Sequence, residues 1–143
     1  MSLRMSSDAR EQFLADVHVG ILAVAIDGAG PLTIPVWYAY DPRGVVTVST
    51  GRYTRKAQAI AAAGRFTLCV QDERPPAYKY VSVEGPAVIE DIGAAERLAL
   101  ARRYLGTEGG DAFIAATASD EASQVAIRMT PERWLTADYS DGG

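Results

Sequence analysis

Residues 20–50 read GILAVAIDGAGPLTIPVWYAYDPRGVVTVST and contain three strand-like runs separated by two short turns. The runs cover residues 20–26, 31–40 and 45–50, and the turns are DGAG and DPRG, the second with a proline where a type I turn favours it. Strands joined by such turns are antiparallel, because a parallel pair needs a connection of about a dozen residues. A doubly wound nucleotide-binding fold is therefore disfavoured.

The rest of the sequence adds further helix-like and strand-like segments. Helices are predicted at residues 8–17, 54–63, 94–105 and 111–118, and strands at residues 65–72, 78–91 and 123–129. Gly64 is a typical helix stop, and Gly85 with Pro86 is expected to break the long strand as a bulge or an edge. Strands of this kind usually close into a small barrel with helices packed outside, and an open sheet is the alternative. We predict one domain over residues 1–143, mainly β with α (α+β): a six-stranded antiparallel β-barrel with flanking helices.

Composition and charge disfavour several classes of protein. The chain has 143 residues, of which 48% are hydrophobic, with a net charge of −4 and a pI near 4.9. An acidic chain offers no default surface for nucleic acid. No apolar run approaches the roughly 20 residues of a membrane helix, and no signal-peptide pattern opens the sequence. We expect a cytosolic (cytoplasmic) protein whose partners include neither nucleic acid nor a membrane.

Residues for direct catalysis are scarce. Cys69 is the only cysteine and His18 the only histidine, so an internal disulfide, a cysteine metal cluster and a Ser–His–Asp triad are all disfavoured. We predict no metal site and interpret His18 as structural. A paired-carboxylate hydrolase stays open, although Glu84 has no evident partner. If the protein is an enzyme, we expect a bound cofactor to carry the chemistry, and no catalytic residue is assigned.

Positive charge gathers where the second predicted helix begins, in STGRYTRKAQAI at residues 49–60. A helix N-terminus carries about half a positive charge and leaves its first N–H groups unpaired, so Arg55 and Lys56 are unfavourable there. Residues 42–71 contain no acidic residue and five basic ones: Arg43, Arg52, Arg55, Lys56 and Arg65. The pattern favours a bound anion that converts this repulsion into attraction.

A phosphate is the anion that suits this segment. Helix N–H groups, the hydroxyls of Ser49 and Thr50 and the Arg55–Lys56 pair can converge on it, and Gly51 permits close approach of the backbone. The alternative is a set of solvated basic residues, which is common near helix starts. The segment is not a P-loop, because GxxxxGK[ST] is absent.

Aromatic residues follow Pro35 in the second strand, in the sequence PVWY. Proline inside a strand removes one ladder donor, so neighbouring backbone groups can face a ligand instead of another strand. Alternation places Tyr38 and Tyr40 on the face opposite Trp37. A flat heteroaromatic ligand suits such a surface, and plain core packing is the alternative.

The fifth strand contains YKYVSVEG at residues 78–85. Alternation places Tyr78, Tyr80, Ser82 and Glu84 on one face, with valines on the other. This face is interpreted as a wall of a binding cleft or as a subunit interface. A half-buried strand with a solvated outer face is the alternative.

Five motifs occur together and in order: GILA near the start, PVWY, VSTG followed by RK, YVSVEG and PERW at residues 131–134. In this combination, over about residues 13–139, the chain resembles the split β-barrel flavin and deazaflavin oxidoreductases, the pyridoxamine 5′-phosphate oxidase-like proteins. The resemblance implies a split-barrel homodimer with a cofactor in each of two clefts along the interface. The chain departs from true pyridoxamine phosphate oxidases in being shorter and lacking an evident C-terminal substrate-binding motif, which puts the vitamin B6 reaction in doubt.

The resemblance assigns cofactor-binding positions residue by residue. Lys56, with Arg55 or Thr54, matches the phosphate-binding position, and Ser49, Thr50 and Gly51 match the strand end beneath the phosphate. Pro35, Val36 and Trp37 match the segment along the flavin-like ring. Tyr78 and Tyr80 match positions that approach the cofactor from the partner subunit, and Trp134 matches a C-terminal stretch near the interface.

The short single-domain form resembles the branch that uses the deazaflavin coenzyme F420, with FMN as the alternative. The tail of coenzyme F420 favours extra basic residues, for which Arg52, Arg74 and Lys79 are candidates. The resemblance implies an oxidoreductase that transfers hydride to a small conjugated organic acceptor. The other possibilities are an FMN-binding or haem-binding relative and a non-catalytic cofactor carrier.

Overall fold

The computed structural model describes residues 2–75 and 78–140. Its helices are α1 (Ser7–Ala15), α2 (Arg55–Ala63) and α3 (Ala94–Ala116), with a short 3₁₀ helix at Ala118–Ser123. Its strands are β1 (Gly20–Val24), β2 (Leu32–Val36), β3 (Val46–Gly51), β4 (Arg65–Asp72), β5 (Lys79–Asp91), β6 (Gln124–Met129) and β7 (Arg133–Asp138). The predicted class, antiparallel strands with flanking helices, is confirmed.

The sheet curls into a barrel. Its order is β2-β1-β4-β5-β6-β3, and every pairing is antiparallel. The two ends of this path meet at Ala39 and Thr47, which exchange two backbone hydrogen bonds of 2.9 Å. Because these two residues form an isolated bridge, the junction between the β2 side and β3 is the weakest in the barrel.

The long strand β5 belongs to both halves of the barrel. Residues 79–86 pair with β4, and residues 87–91 pair with β6. The predicted break at Gly85 and Pro86 is wrong, since the strand runs through these residues without interruption. They mark the point where the strand changes partners, and a Cβ atom built on Gly85 would lie 1.7 Å from the Thr130 carbonyl oxygen.

A seventh strand was not predicted. The six strands of the closed path match the prediction, whereas β7 lies off this path and pairs with residues 79–84 of β5. It follows β6 after a three-residue connection and uses the same edge of β5 that β6 uses further along. The strand is half-exposed, so its sequence RWLTAD has too few apolar residues to be recognised by alternation.

The helices begin and end close to the predicted residues, for local chemical reasons. The Thr54 side chain caps α2 by accepting a hydrogen bond from the Ala57 amide, and Gly64 ends the helix with a left-handed φ of 75°. The two helices predicted at residues 94–105 and 111–118 abut in α3 at Gly106, which has a non-helical φ of 76°.

Helix α3 is fixed against the barrel by hydrogen bonds. The Tyr38 amide donates to the Tyr104 hydroxyl at 3.0 Å, and that hydroxyl donates to the His18 carbonyl at 2.6 Å. The Arg128 guanidinium of β6 binds both carboxylate oxygens of Glu96 at 2.6 and 2.8 Å. These contacts hold the first half of α3 beside the segment that follows β2.

The core fills the barrel and extends under α1 and α2. Leu22, Val48, Leu68, Val83 and Ile127 are at most 1% exposed, and Leu14 and Ile60 bring α1 and α2 onto the same cluster. In the part of the chain described here, no helix has both the length and the apolar character needed to cross a membrane.

We expect Gly85→Ala to destabilise the fold by about 3 kcal/mol or more, because a side chain there overlaps backbone atoms that cannot move independently. Urea unfolding followed by circular dichroism measures the change. Gly30→Ala is the matched control: no atom of residues 2–75 and 78–140 lies within 4 Å of the position that a Cβ would take there, and we expect an effect within about 0.5 kcal/mol. Equal stability of the two variants would contradict the close packing at Gly85.

Candidate functional site

A cleft of about 360 Å³ opens beside the weak junction of the barrel. Five of its lining residues belong to the predicted cofactor site: Pro35, Val36, Trp37, Ser49 and Lys56. Val19 and Phe113 complete the lining and were not predicted. Five separate segments of the sequence therefore meet in one cleft.

The strand register explains why these residues meet. Ala39 pairs with Thr47 in antiparallel register, so continuing that register places Trp37 opposite Ser49. Strand β2 is an edge strand, a position that tolerates Pro35. Since no ladder joins β2 to β3 beyond the bridge, the gap between these two strands is open to a ligand. Helix α2 begins just after β3, at one end of this gap.

Lys56 provides the positive charge of the cleft. Its side chain is half-buried, and burial lowers the pKa of its ammonium group from the ordinary value of 10.5. No carboxylate lies within ion-pair distance of this ammonium among the residues that the structure describes. An anionic ligand would supply the missing counter-charge.

The other basic residues of residues 42–71 do not line this cleft. Arg52 pairs with Asp91 and Arg65 with Glu132, each at 3.0 Å. Arg55 is exposed and Arg43 lies near α1, where its amide donates to Glu11. Of the five predicted cations, Lys56 is the one that the structure brings to the cleft.

The start of α2 is partly satisfied by its own residues. The Thr54 hydroxyl caps the Ala57 amide and lies 3.2 Å from the buried Thr50 hydroxyl, and it also donates to the Gly51 carbonyl. Thr50, Gly51 and Thr54 therefore build the turn before the helix instead of lining the cleft. The amides of Arg55 and Lys56 find no acceptor within residues 2–75 and 78–140, so two N–H donors at this helix start are available.

Trp37 presents an aromatic surface, as alternation predicts. Tyr38 and Tyr40 point into the core, at 0% and 4% exposure, and burial raises the pKa of both phenols. The Trp37 indole stacks on Tyr104 with ring centroids 5.0 Å apart and lies 5.4 Å from the Phe113 ring. One face of the indole is thus covered by the protein itself.

A smaller inner cavity of about 160 Å³ adjoins the cleft and shares Trp37, Ser49 and Phe113 with it. Its other lining residues are Arg97, Leu100, Ala101, Thr117, Asp120 and Gln124. The Ser49 hydroxyl donates to the Gln124 side-chain carbonyl at 3.2 Å. Arg97 was not predicted as a site residue. It lies three residues before Leu100 and four before Ala101, so it occupies the apolar face of a helix. An arginine at such a position is a signal that the sequence contains.

Tyr78, Tyr80 and Trp134 do not line the cleft of their own chain. Tyr78 lies beside Tyr80 and Tyr139, with ring centroids 6.4 and 5.5 Å away. Trp134 packs on the core side of β7, edge-on to Tyr40 and beneath the Arg10 guanidinium. A role for any of the three at the cofactor would require a second subunit.

The candidate residues for the tail of coenzyme F420 all have carboxylate neighbours. Arg74 binds Asp72 at 3.0 Å, and Lys79 lies 3.9 Å from Asp138, while Arg52 is held by Asp91. Their charges are already balanced within the chain. The structure therefore gives this interpretation no support.

His18 has a structural environment. One ring nitrogen lies 3.0 Å from the Phe13 carbonyl oxygen, and the imidazole stacks on the Phe13 ring at 4.5 Å. Among the described residues, no group of three or more histidine, cysteine, aspartate or glutamate side chains is placed to hold a metal ion.

Comparisons with known proteins agree with this architecture. The family model described as pyridoxamine 5′-phosphate oxidase matches residues 6–138. The conserved hypothetical protein Rv2991 from Mycobacterium tuberculosis is 21% identical, with a TM-score of 0.78 over 96% of this chain and 88% of that chain. A protein described as an F420 reductase is 27% identical, with a TM-score of 0.72 over 87% and 94% of the two chains.

A further structure, a FAD-binding protein from Mesorhizobium loti, is 21% identical, with a TM-score of 0.67 over 94% of this chain and 93% of that chain. A comparison with curated proteins gives no match. The first and third of these structures share the fold at low identity, whereas the second is also the most similar in sequence of the three.

We expect Lys56 to titrate below 10.5 in the free protein and to shift upward when inorganic phosphate is added, because phosphate supplies the absent counter-charge. Lys56 and Lys79 are the only lysines in the sequence, so the variant Lys79→Arg leaves one ammonium signal for NMR titration. A pKa at or above 10.5 without phosphate, or no response to phosphate, would contradict an anion site at Lys56.

Proposed function

The chain belongs to the pyridoxamine 5′-phosphate oxidase family of flavin-binding split barrels, and on this basis we propose that it is an oxidoreductase that uses coenzyme F420. In this proposal it transfers hydride to a small conjugated organic acceptor. The observation that carries the proposal is a half-buried ammonium group, Lys56, with no carboxylate partner among the described residues, in a cleft walled by Pro35, Val36 and Trp37.

The residues of the cleft fit a phosphorylated, planar cofactor. The Lys56 ammonium and the free amides at the start of α2 provide donors for a phosphate. Pro35, Val36 and Trp37 offer a mostly apolar wall for a flat ring, since aromatic and aliphatic groups gain from covering such surfaces. Bound reduced deazaflavin would supply the hydride.

The chain itself would bind, orient and exclude water. Lys56 would hold the phosphate of the cofactor at the start of α2. The wall that contains Trp37 would fix the plane of the cofactor ring. Phe113 covers the cleft from the side of α3 and reduces the access of solvent. Trp37, Ser49 and Lys56 are the lining residues whose side chains carry exchangeable protons, and no catalytic acid is assigned.

The 27% identity to a protein described as an F420 reductase supports the deazaflavin over FMN. An FMN-binding protein of the same family and a carrier that binds the cofactor without turnover are the alternatives. The same cleft suits all three, because FMN and coenzyme F420 share a tricyclic ring and a phosphate. Binding and turnover experiments therefore separate them.

We propose that a second copy of the chain covers the outer face of the sheet. Cross-strand register places Pro35, Ile21, Cys69, Ser82 and Leu135 in one uncharged row across five strands. Ile21 and Leu135 are 41% and 64% exposed, and burial raises the pKa of the Cys69 thiol, which keeps it neutral.

This outer row, as we call it, ends at the cleft. Pro35 belongs both to the row and to the cleft lining, and Tyr80 lies on the same face two residues from Ser82. A partner that covers the row therefore also reaches the cleft. We propose a homodimer in which the partner contributes tyrosines to the cofactor site.

We expect coenzyme F420 to bind more tightly than FMN, as measured by fluorescence quenching. Lys56→Ala should weaken binding by about 10- to 100-fold through loss of a charge-assisted hydrogen bond. The control Arg55→Ala removes an exposed neighbouring charge and should change binding by no more than about threefold. Tighter binding of FMN would favour the alternative cofactor, and an unchanged dissociation constant for Lys56→Ala would refute the assigned phosphate site.

Turnover is tested with reduced coenzyme F420 and a panel of enones and quinones. The proposal expects oxidation of the cofactor well above the rate without protein, reduced in Lys56→Ala. Tight binding with no oxidation by any acceptor would instead identify a carrier.

We expect Leu135→Asp to convert the dimer into a monomer, because it places a charge at the most exposed apolar position of the outer row. Light scattering measures the mass, and cofactor titration shows whether the monomer still binds. Val88→Asp, at an exposed position of β5 outside the row, is the control and should remain dimeric. A monomeric wild-type protein with full cofactor affinity would rule out the shared site.

A further inference from the structure

Arg97 is a buried charge that has no counter-charge among the residues that the structure describes. The residue is 6% exposed. One terminal nitrogen, Nη2, donates to the Thr117 hydroxyl at 2.7 Å, and the other, Nη1, is buried and has no hydrogen-bond partner among the described residues. No carboxylate of those residues lies within 4.0 Å of the guanidinium.

Such an arrangement is costly for a folded protein. Arginine stays protonated under all ordinary conditions, so it cannot avoid the cost of burial by losing its proton. A buried charge is normally paired, and an orphaned donor in a buried site calls for a ligand or for another compensating partner. A partner that balances the charge of Arg97 would therefore have to lie in the space beside it.

That space is the inner cavity of about 160 Å³, which Arg97 lines. Trp37, Leu100, Ala101 and Phe113 form apolar walls, and the polar residues of the lining are Ser49, Arg97, Thr117, Asp120 and Gln124. Apolar walls together with converging polar groups suit a small molecule that has an apolar body and a polar end. Because Trp37, Ser49 and Phe113 also line the outer cleft, a molecule in the inner cavity would lie next to the proposed cofactor site.

We propose that the inner cavity binds the carboxylate of a small organic acid through Arg97, and that this acid is the class of acceptor the protein uses. The identification as acceptor rests on the proposed function, whereas carboxylate binding does not. The planar guanidinium forms paired hydrogen bonds with a carboxylate, for which Nη1 is free. The Ser49 and Thr117 hydroxyls and the Gln124 amide are the neutral polar groups around the same space.

Asp120 raises the alternative that an internal ion pair, and not a ligand, balances the charge of Arg97. It also lines the cavity and is exposed. Its carboxylate is outside ion-pair distance of Arg97, so it leaves the guanidinium unpaired and would repel a bound anion. The variant Asp120→Asn distinguishes a ligand site from an internal ion pair. If the cavity is a ligand site, removing the carboxylate charge raises its affinity for an anion. If Asp120 instead balances Arg97, the same change lowers the stability of the protein.

Binding is measured with crotonate as the probe and crotonamide as its neutral counterpart of the same shape, without any cofactor. Trp37 and Trp134 are the only tryptophans, so the variant Trp134→Phe reports on the cavity through Trp37 alone, and calorimetry on the wild-type protein provides a second readout. We expect crotonate to quench Trp37 saturably and to bind at least about tenfold more tightly than crotonamide.

Arg97→Met should weaken crotonate binding by about tenfold or more without affecting crotonamide, and Arg97→Lys should recover part of the loss. Replacing an unpaired buried charge with an apolar side chain is expected to preserve the fold, which thermal unfolding checks. If Arg97→Met does not fold, Arg97→Lys and the comparison of crotonate with crotonamide in the wild-type protein still test the proposal.

Equal affinity for crotonate and crotonamide, or unchanged crotonate binding in Arg97→Met, would overturn the proposal. So would a loss of stability in Asp120→Asn without any gain in affinity for crotonate. Competition identifies the source of the carboxylate, because the oligoglutamate tail of coenzyme F420 also carries carboxylate groups. Displacement of crotonate by coenzyme F420, but not by a precursor that lacks this tail, would assign the cavity to the cofactor tail and overturn the acceptor assignment. Because cofactor affinity is titrated separately, failure here is distinct from failure of the proposed function.

Discussion

The close contact between Gly85 and the Thr130 carbonyl is the constraint on which the barrel depends. It lets the 13-residue strand β5 pass from one set of partners to the other without a break. A side chain at this position would push the connection between β6 and β7 away from β5. Both of those strands pair with β5 on either side of the contact, so the curl of the whole sheet follows from a missing Cβ atom.

The cleft is a consequence of how that curled sheet closes. A continuous ladder joins most neighbouring strands, whereas a single bridge joins the segment after β2 to β3. The resulting gap is bordered by the start of α2 and by α3. Each helix delivers one cation, Lys56 to the outer cleft and Arg97 to the inner cavity, and neither has a carboxylate partner within the described part of the chain. Two positive charges thus line adjoining spaces, and Trp37 belongs to the lining of both.

The sequence predicted those features that depend on neighbouring residues. Short turns established the antiparallel order, Thr54 and Gly64 marked the ends of α2, and alternation separated Trp37 from the two buried tyrosines. It did not predict which basic residues are free, because the partners of Arg52 and Arg65 lie 39 and 67 positions away. Arg97 stood on a recognisable apolar helix face, but the cavity beside it forms only when α3, β3 and β6 come together.

The pairing of β3 also has a consequence for biosynthesis. Apart from the bridge at Thr47, β3 forms its ladder with β6 alone, and Val46 is opposite Met129. A nascent chain therefore carries an unpaired strand, four of whose six residues are buried in the folded protein, until β6 has been translated. Distant pairings of this kind slow folding and leave open edges exposed to association. Because β3 is translated well before β6, the risk of aggregation is greatest while the barrel is still incomplete.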